Sequence, residues 1–147
     1  MKRVILLLVL GILVMGCAGS SNMATTENRM RTIAVDYQDM FKATEDYIKE
    51  RGFRILKMDE AKGVIESHYR EGVGWGEGFT GDKRAKVIAK VKKIDASKTQ
   101  VVVELISEVR DQYSGWQPVE MTVGQEQIYY TRFLEGICAR AEGRSIK

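Results

Sequence analysis

Apolar residues recur at steps of three and four in two stretches of the chain, which is the spacing of an amphipathic helix. The first stretch covers residues 33–51 and is followed by Gly52, a residue type that commonly ends helices. The second covers residues 123–141. The apolar positions are Tyr37, Met40, Phe41, Thr44, Tyr47 and Ile48 in the first stretch, and Tyr130, Phe133, Leu134, Ile137, Cys138 and Ala141 in the second. We therefore predict one helix near the start of the folded part and another that closes it.

Between these helices the pattern changes to a period of two, which predicts strands. Residues 53–58 and 64–71 flank a turn and are predicted to form a hairpin. Residues 84–94 and 100–109 alternate cleanly. Each has one apolar face, formed by Ala85, Val87, Ala89 and Val91 in the first and by Val101, Val103 and Leu105 in the second. Residues 110–122 are predicted to be a loop, with 119–122 as the candidate for a short edge strand.

The predicted order is helix, four strands, helix. Two amphipathic helices can cover one face of an antiparallel sheet, so the expected class is α+β. It has two layers in the order α-β-β-β-β-α, with an antiparallel four-stranded sheet and both helices packed on one face. For the last two strands we prefer a register in which Lys90 faces Glu104 and Lys86 faces Glu108, because both faces then pair sensibly.

A run of glycines lies between the second and third predicted strands. Gly76 and Gly81 have the spacing of the two glycines in a phosphate-binding loop, but Asp82 stands where that loop carries lysine, and a strand follows instead of a helix. A bulged or flexible hairpin end is the simpler interpretation. The alternative is a contact loop that exposes Trp75 and Phe79 to a partner or to a membrane surface.

The first residues have the pattern of a secretory signal. Lys2 and Arg3 precede an apolar run at 4–15, which is shorter than the roughly 20 residues that a membrane-spanning helix needs. Small Gly16 then stands directly before Cys17. This order resembles the lipobox of bacterial lipoproteins. The resemblance implies cleavage between Gly16 and Cys17, a lipid thioether on Cys17, and acylation of its new amino group, typically by palmitate.

The resemblance also implies a domain division and a location. We expect a signal peptide at 1–16, a lipidated N-terminus and flexible tether at 17–32, and a single α+β domain at 33–147. By the sorting rule of enterobacterial lipoproteins, Ala18 after the cysteine indicates the outer membrane, facing the periplasm, with membrane contact through the lipid on Cys17. The alternatives are a plain membrane anchor, or a cleaved signal with an incidental cysteine.

Charge gives no argument for a nucleic-acid partner. Without residues 1–16 the formal net charge falls from +3 to +1, because Lys2 and Arg3 are lost. A basic run nevertheless lies in the third predicted strand, at Lys83, Arg84, Lys86, Lys90, Lys92 and Lys93. A solvated, charge-paired sheet face is the simpler interpretation, and an acidic protein or lipid A phosphates are the alternatives. The candidate partner contacts are Trp75, Phe79, Lys86, Lys90 and Trp116.

The titratable residues do not indicate catalysis. His68 is the only histidine, and we expect it to face solvent without the second ligand that a metal site needs. Cys138 lies on the apolar stripe of the last helix, so we expect a buried, unreactive thiol. The sequence therefore predicts no metal site, no cofactor and no enzymatic activity.

The helix end at Gly52-Phe53, the turn that ends at Gly63-Val64-Ile65, two long alternating strands and a closing helix resemble the helix-grip modules of envelope lipoproteins. One example of such modules is found in the lipoprotein C subunit of the outer-membrane β-barrel assembly machinery. The likeness covers about residues 35–141 and implies a fold only. We expect a non-enzymatic envelope lipoprotein that acts as an accessory or scaffold module in the periplasm. The alternative is a carrier of a small apolar ligand between helices and sheet.

Overall fold

The computed structural model describes residues 27–72 and 82–144. These residues form an α+β fold of seven strands and two helices. In chain order the elements are β1 (Met30–Ile33), α1 (Tyr37–Glu50), β2 (Ile55–Asp59), β3 (Val64–Ser67), β4 (Arg70–Glu71), β5 (Lys83–Lys93), β6 (Thr99–Asp111), β7 (Gly115–Pro118) and α2 (Val123–Ala141). Within the described ranges, no helix is both long and apolar enough to cross a bilayer.

The strands form one antiparallel sheet in the order β1-β6-β5-β3-β2. The expectation of four strands is wrong, because short strands add to both ends of the central hairpin. β1 pairs with the start of β6 and β7 with its end, while β3 and β4 pair in succession with β5. The predicted strand 64–71 is divided because the buried Oγ of Ser67 accepts the amide of Val87 at 2.9 Å. That side chain takes a position in the ladder that a backbone carbonyl would otherwise fill.

Strands β5 and β6 form the long central hairpin, with eleven paired positions. The predicted register is wrong by two residues: Arg84 faces Glu108, Lys86 faces Ile106, and Ile88 faces Glu104. A shift of two keeps every side chain on its predicted face, so alternation alone could not detect it. The turn fixes the register instead. The amide of Ile94 donates to the carbonyl of Lys98 at 2.9 Å, and Oδ1 of Asp95 accepts the amide of Ser97 at 2.8 Å.

Both helices pack against one face of the sheet. The predicted inward residues of β5 and β6 are buried, together with most of the apolar stripes of α1 and α2. The last helix has the predicted bounds and begins with a capping box between Thr122 and Gln125. Helix α1 begins later than predicted, because the side chain of Asp36 caps it by accepting the amide of Gln38. Residue Ile33 belongs instead to β1, whose start at Met30 lies inside the segment expected to be tether.

The segment after β6 is a second hairpin rather than a loop. Strand β6 continues to Asp111, and the short strand lies at Gly115–Pro118 instead of 119–122. Oδ1 of Asp111 accepts the amides of Tyr113 and Ser114, each at 2.9 Å, and Gly115 follows with a φ of 77°. An aspartate that binds the backbone ahead of it, followed by glycine with positive φ, makes a tight turn.

Candidate functional site

The face of the sheet opposite the helices, hereafter the open face, carries the even-numbered residues of β5. No described element packs over it. The inward residues Ala85, Val87 and Ala89 are fully buried, whereas their neighbours Arg84, Lys86 and Ile88 keep partial exposure. Several candidate contacts from the sequence therefore lie on a surface that other molecules can reach.

Arg84 is the centre of an ordered group on the open face. Its guanidinium carbon lies 4.1 Å from the ring centroid of Tyr69 and 4.4 Å from that of Trp116, so the cation is held between two aromatic rings. Its Nε and Nη2 atoms both contact Oε2 of Glu108 at 2.5 Å. The hydroxyl of Tyr69 donates to Oε1 of the same carboxylate at 2.8 Å. The two aromatic rings and the carboxylate together hold the guanidinium in one orientation.

A second ion pair extends this group along β5. Lys86 pairs with Glu66 of β3, and its ammonium lies 5.5 Å from the ring of Tyr69. We call Glu66, Tyr69, Arg84, Lys86, Glu108 and Trp116 together the cation–aromatic cluster. Its four charged side chains are between 17% and 25% exposed, so water screens them less than ordinary surface charges. Burial is the main cause that raises the pKa of Tyr69, and its bond to Glu108 adds to that rise.

Aliphatic residues continue the open face beyond the cluster. They are partly exposed and come from four strands. The register pairs Met30 directly with Val102 and places Val64, Val102 and Ile106 diagonally next to Ile88, so the group is Met30, Val64, Ile88, Val102 and Ile106. We call them the aliphatic strip. Lys90 lies between Val102 and Val64 in the pairing and is exposed, and Glu104 beside Ile88 is exposed too. The open face thus combines apolar side chains with a few solvent-reachable charges.

The structure brings together some of the predicted contacts and not others. Lys86 and Trp116 belong to the cluster, and Lys90 lies beside the strip. The expected pairs Lys86–Glu108 and Lys90–Glu104 are replaced by Lys86–Glu66 and Arg84–Glu108. Trp116 lies on a strand instead of a loop. Trp75, Phe79, Gly16 and Cys17 lie outside the described residues.

Tyr69 was missed as a site residue, because alternation along the predicted strand 64–71 places it on the same face as Ile65 and Ser67, which are buried. What the sequence did not show was the break at Ser67 and the hairpin at Asp111. Those two features bring the rings of Tyr69 and Trp116 into contact with one guanidinium.

The residues considered for catalysis stand apart from this group. His68 is exposed, as predicted, and its backbone amide donates to the carbonyl of Arg54 at 2.8 Å. Cys138 is buried, as predicted, and burial raises the pKa of its thiol, although Arg31 and Arg144 oppose that rise. Among the described residues, no three His, Cys, Asp or Glu side chains come together in a group that could hold a metal ion.

Among the cavities on the surface of the described part, two are large enough to note. One, of about 740 Å³, lies beside the start of α1 and is lined by residues that include Tyr37, Glu60 and Lys92. The other, of about 600 Å³, lies between β1 and the second half of α2, and its lining includes Arg31, Arg132 and Arg144. Between the helices and the sheet, the described residues form a cluster of packed, buried apolar side chains.

Comparison with known proteins does not assign the chain to a family. No family model matches the chain, and no curated protein does. The adenylate sensor from AMP-activated protein kinase, solved in complex with 5-aminoimidazole-4-carboxamide 1-beta-D-ribofuranotide, aligns with a TM-score of 0.45 and 8% identity, over 76% of this chain and 94% of its own. A DUF4468 family protein from Bacteroides ovatus ATCC 8483 aligns with a TM-score of 0.44 and 13% identity, over 78% and 82%. Scores this low carry no argument about fold or function.

Proposed function

We propose that the chain is a non-enzymatic lipoprotein of the cell envelope that binds another protein through its open sheet face. The lipobox-like order of residues 2–17 supports the lipid anchor on Cys17 and, with Ala18, the location at the outer membrane facing the periplasm. The helix-grip arrangement belongs to the same proposal. Two helices on one face of an antiparallel sheet support it.

The main support for the proposal is that the cation–aromatic cluster lies next to the aliphatic strip on the open face. Arginine and aromatic residues are enriched at protein interfaces, because they offer large contact areas and several hydrogen-bond donors. In the cluster their rotamers are already held by Glu108 and by each other, so little side-chain entropy is left to lose on binding. The aliphatic strip supplies the apolar area that such an interface buries.

The chemistry of the surface also indicates the kind of partner. Lys86 and Arg84 are already paired with carboxylates, whereas Lys90 is exposed in the middle of the strip. A partner segment that presents apolar side chains and a carboxylate would cover the strip and meet Lys90. We therefore propose an acidic, amphipathic protein segment as the partner.

The partner proposal is tested by photo-crosslinking in cells that make the protein. A photoreactive amino acid is placed at Ile88 in the strip, or at Ile128 on α2 as a control that is 50% exposed but lies away from the open face. We expect one discrete envelope-protein adduct from position 88 and none from position 128. The adduct should weaken when Lys90 is changed to Glu. Adducts of equal yield from both positions, or none, would contradict the proposal.

The anchor is tested separately by intact mass of the protein from membranes. We expect a chain that begins at Cys17 and carries lipid, and a Cys17→Ser variant that is not lipidated. A chain that still begins at Met1 would remove this part of the proposal and leave the open face unaffected.

An interaction role is preferred to the carrier role. A carrier of an apolar ligand needs a cavity with mostly apolar walls, whereas the helices and the sheet pack together through buried apolar side chains, and five of the ten residues that line the cavity beside α2 are arginines or glutamates. Native mass spectrometry would detect a copurified apolar ligand and would favour the carrier.

A further inference from the structure

Strand β2 is an edge of the sheet with exposed apolar side chains. It pairs with β3 on one side, and no described strand pairs with the other. Leu56 is 52% and Met58 49% exposed, which is unusual for large apolar residues on a strand. The free side of an edge strand presents unpaired backbone amides and carbonyls, and it is a template for another strand.

A bulge limits how much of this edge is regular. The pairing with β3 shifts between Ile55 and Lys57, so the regular part runs from Lys57 to Asp59. Met58 is at its centre, with a cation before it and an anion after it. The carboxylate of Asp59 accepts the amide of Lys62 at 3.0 Å through Oδ1, and its other oxygen lies 3.6 Å from the exposed ammonium of Lys62.

Two copies of such an edge can meet about a two-fold axis, and charge selects the register. With the axis at Lys57, that lysine lies opposite its own copy. With the axis at Asp59, two carboxylates lie opposite each other. With the axis at Met58, Lys57 of each copy lies opposite Asp59 of the other, and the two Met58 side chains meet. Opposite charges that face each other directly across strands stabilise a pair, and like charges destabilise it.

We propose that two copies of this chain associate by antiparallel pairing of their β2 strands about Met58, forming one continuous sheet. An axis at a residue of the strand keeps the helix-covered faces of both copies on the same side, because paired residues share a face. The open faces then form one surface of double width. This inference goes beyond the proposed function and does not depend on the anchor or the partner.

Cysteine crosslinking of the full-length chain tests the contact. In a background that carries both Cys17→Ser and Cys138→Ala, Met58→Cys is compared with Ile128→Cys, since the two positions are almost equally exposed, at 49% and 50%. With a short bis-maleimide we expect the dimer yield of Met58→Cys to exceed that of Ile128→Cys by at least about tenfold, because directly opposite Cβ atoms lie only about 5 Å apart. Equal yields, or no dimer above the cysteine-free parent, would overturn the proposal.

Charge exchange tests the register. A Lys57→Asp variant places two carboxylates at each contact, and an Asp59→Lys variant places two ammonium groups there. Each variant alone should therefore dimerise about tenfold less than the native chain, whereas a mixture of the two restores both opposite-charge contacts. We expect differently tagged variants to copurify as a heterodimer only when mixed.

A melting curve shows whether Asp59→Lys still folds after losing its bond to the amide of Lys62. If it does not, the crosslinking comparison alone decides. Undiminished dimers of Lys57→Asp by itself would show that the register, and with it the proposal, is wrong.

Discussion

The ring of Tyr47 on α1 lies directly against the backbone of Gly136 on α2. A Cβ atom at position 136 would come within 2.2 Å of Cζ of Tyr47. The same ring makes an edge-to-face contact with Phe133, with centroids 5.0 Å apart, so it has little room to move. The distance between α1 and α2 therefore depends on the absence of one methyl group.

We predict that Gly136→Ala destabilises the protein by about 1–3 kcal/mol, because overpacking forces the ring and helix apart. Urea unfolding measures the change. The control is Gly124→Ala in the same helix, where a Cβ meets nothing within 4 Å and the change should be neutral or slightly stabilising. Equal effects at both positions would show that the contact with Tyr47 is not responsible.

Gly63 provides a second comparison, between two glycines with positive φ. Gly63 and Gly72 have φ values of 66° and 70°, but a Cβ would lie 1.9 Å from the carbonyl oxygen of Val91 at the first and within 4 Å of no atom of the described residues at the second. We expect Gly72→Ala to cost about 1–2 kcal/mol from backbone strain alone, and Gly63→Ala about 3 kcal/mol or more. Thermal unfolding of both variants separates strain from clash. The inference fails if the two melting temperatures agree.

Arg84 should not tolerate a lysine. Lysine keeps the charge but lacks the planar group that fits between Tyr69 and Trp116 and bonds Glu108 through two nitrogens. We expect Arg84→Lys to lower the free energy of unfolding by about 1 kcal/mol. It should also weaken the crosslinking from position 88. Arg54→Lys, at an exposed arginine outside the cluster, serves as the control and should leave both unchanged.

The turn at Asp111 is expected to control the position of Trp116. Replacing Asp111 with Ala removes the acceptor of the Tyr113 and Ser114 amides, so β7 should fray and its amides should exchange faster with solvent. The bonds from Ser114 and Tyr113 lower the pKa of Asp111 below its ordinary value of 3.8. The carboxylate therefore stabilises the hairpin above that pH, and its contribution is lost as the pH falls through the lowered value. Exchange rates that match the native chain at neutral pH would rule out this role.

Tyr130 links α2 to β6 through a hydrogen bond whose two partners are both buried. Its hydroxyl oxygen accepts the amide of Leu105 at 2.9 Å. We expect Tyr130→Phe to cost about 1–3 kcal/mol at neutral pH, because that amide loses its acceptor. Denaturant unfolding measures the loss, and Tyr113→Phe, at a residue 92% exposed, is the neutral control.

The same tyrosine predicts how stability depends on alkaline pH. Burial is the main cause that raises the pKa of Tyr130 above its ordinary value of 10.0. Because the folded protein then holds the proton more tightly than the unfolded chain, this contribution is complete below about pH 10 and is lost as the pH rises through the folded value. The Tyr130→Phe variant should decline less steeply between about pH 9 and pH 11. A parallel decline would show that other groups cause it.

Much of the fold could be read from the sequence because the signal is local. The alternation in β5 and β6 identifies Val87 and Val103 as inward residues, and the spacing of residues 123–141 gives the exact bounds of α2. Amphipathic patterns repeat at every turn or every second residue, so they hold wherever the neighbouring element lies. The burial of Cys138 and the exposure of His68 follow from the same patterns.

The pairing partners were decided only by the tertiary structure. Two registers of the central hairpin place the same residues inside, and the choice between them depends on the turn at Asp95, which the alternation does not report. The strands β1 and β7 are too short to show a period in the sequence. They form because their backbone groups pair with those of β6. The position of Arg84 between Tyr69 and Trp116 depends on β5, on β7 and on the link between β3 and β4 that carries Tyr69. Sequence alone determined which way the side chains of β5, β6 and α2 face, and the assembled sheet determined which side chains meet, because the direction of a side chain depends on one element and its contacts depend on several.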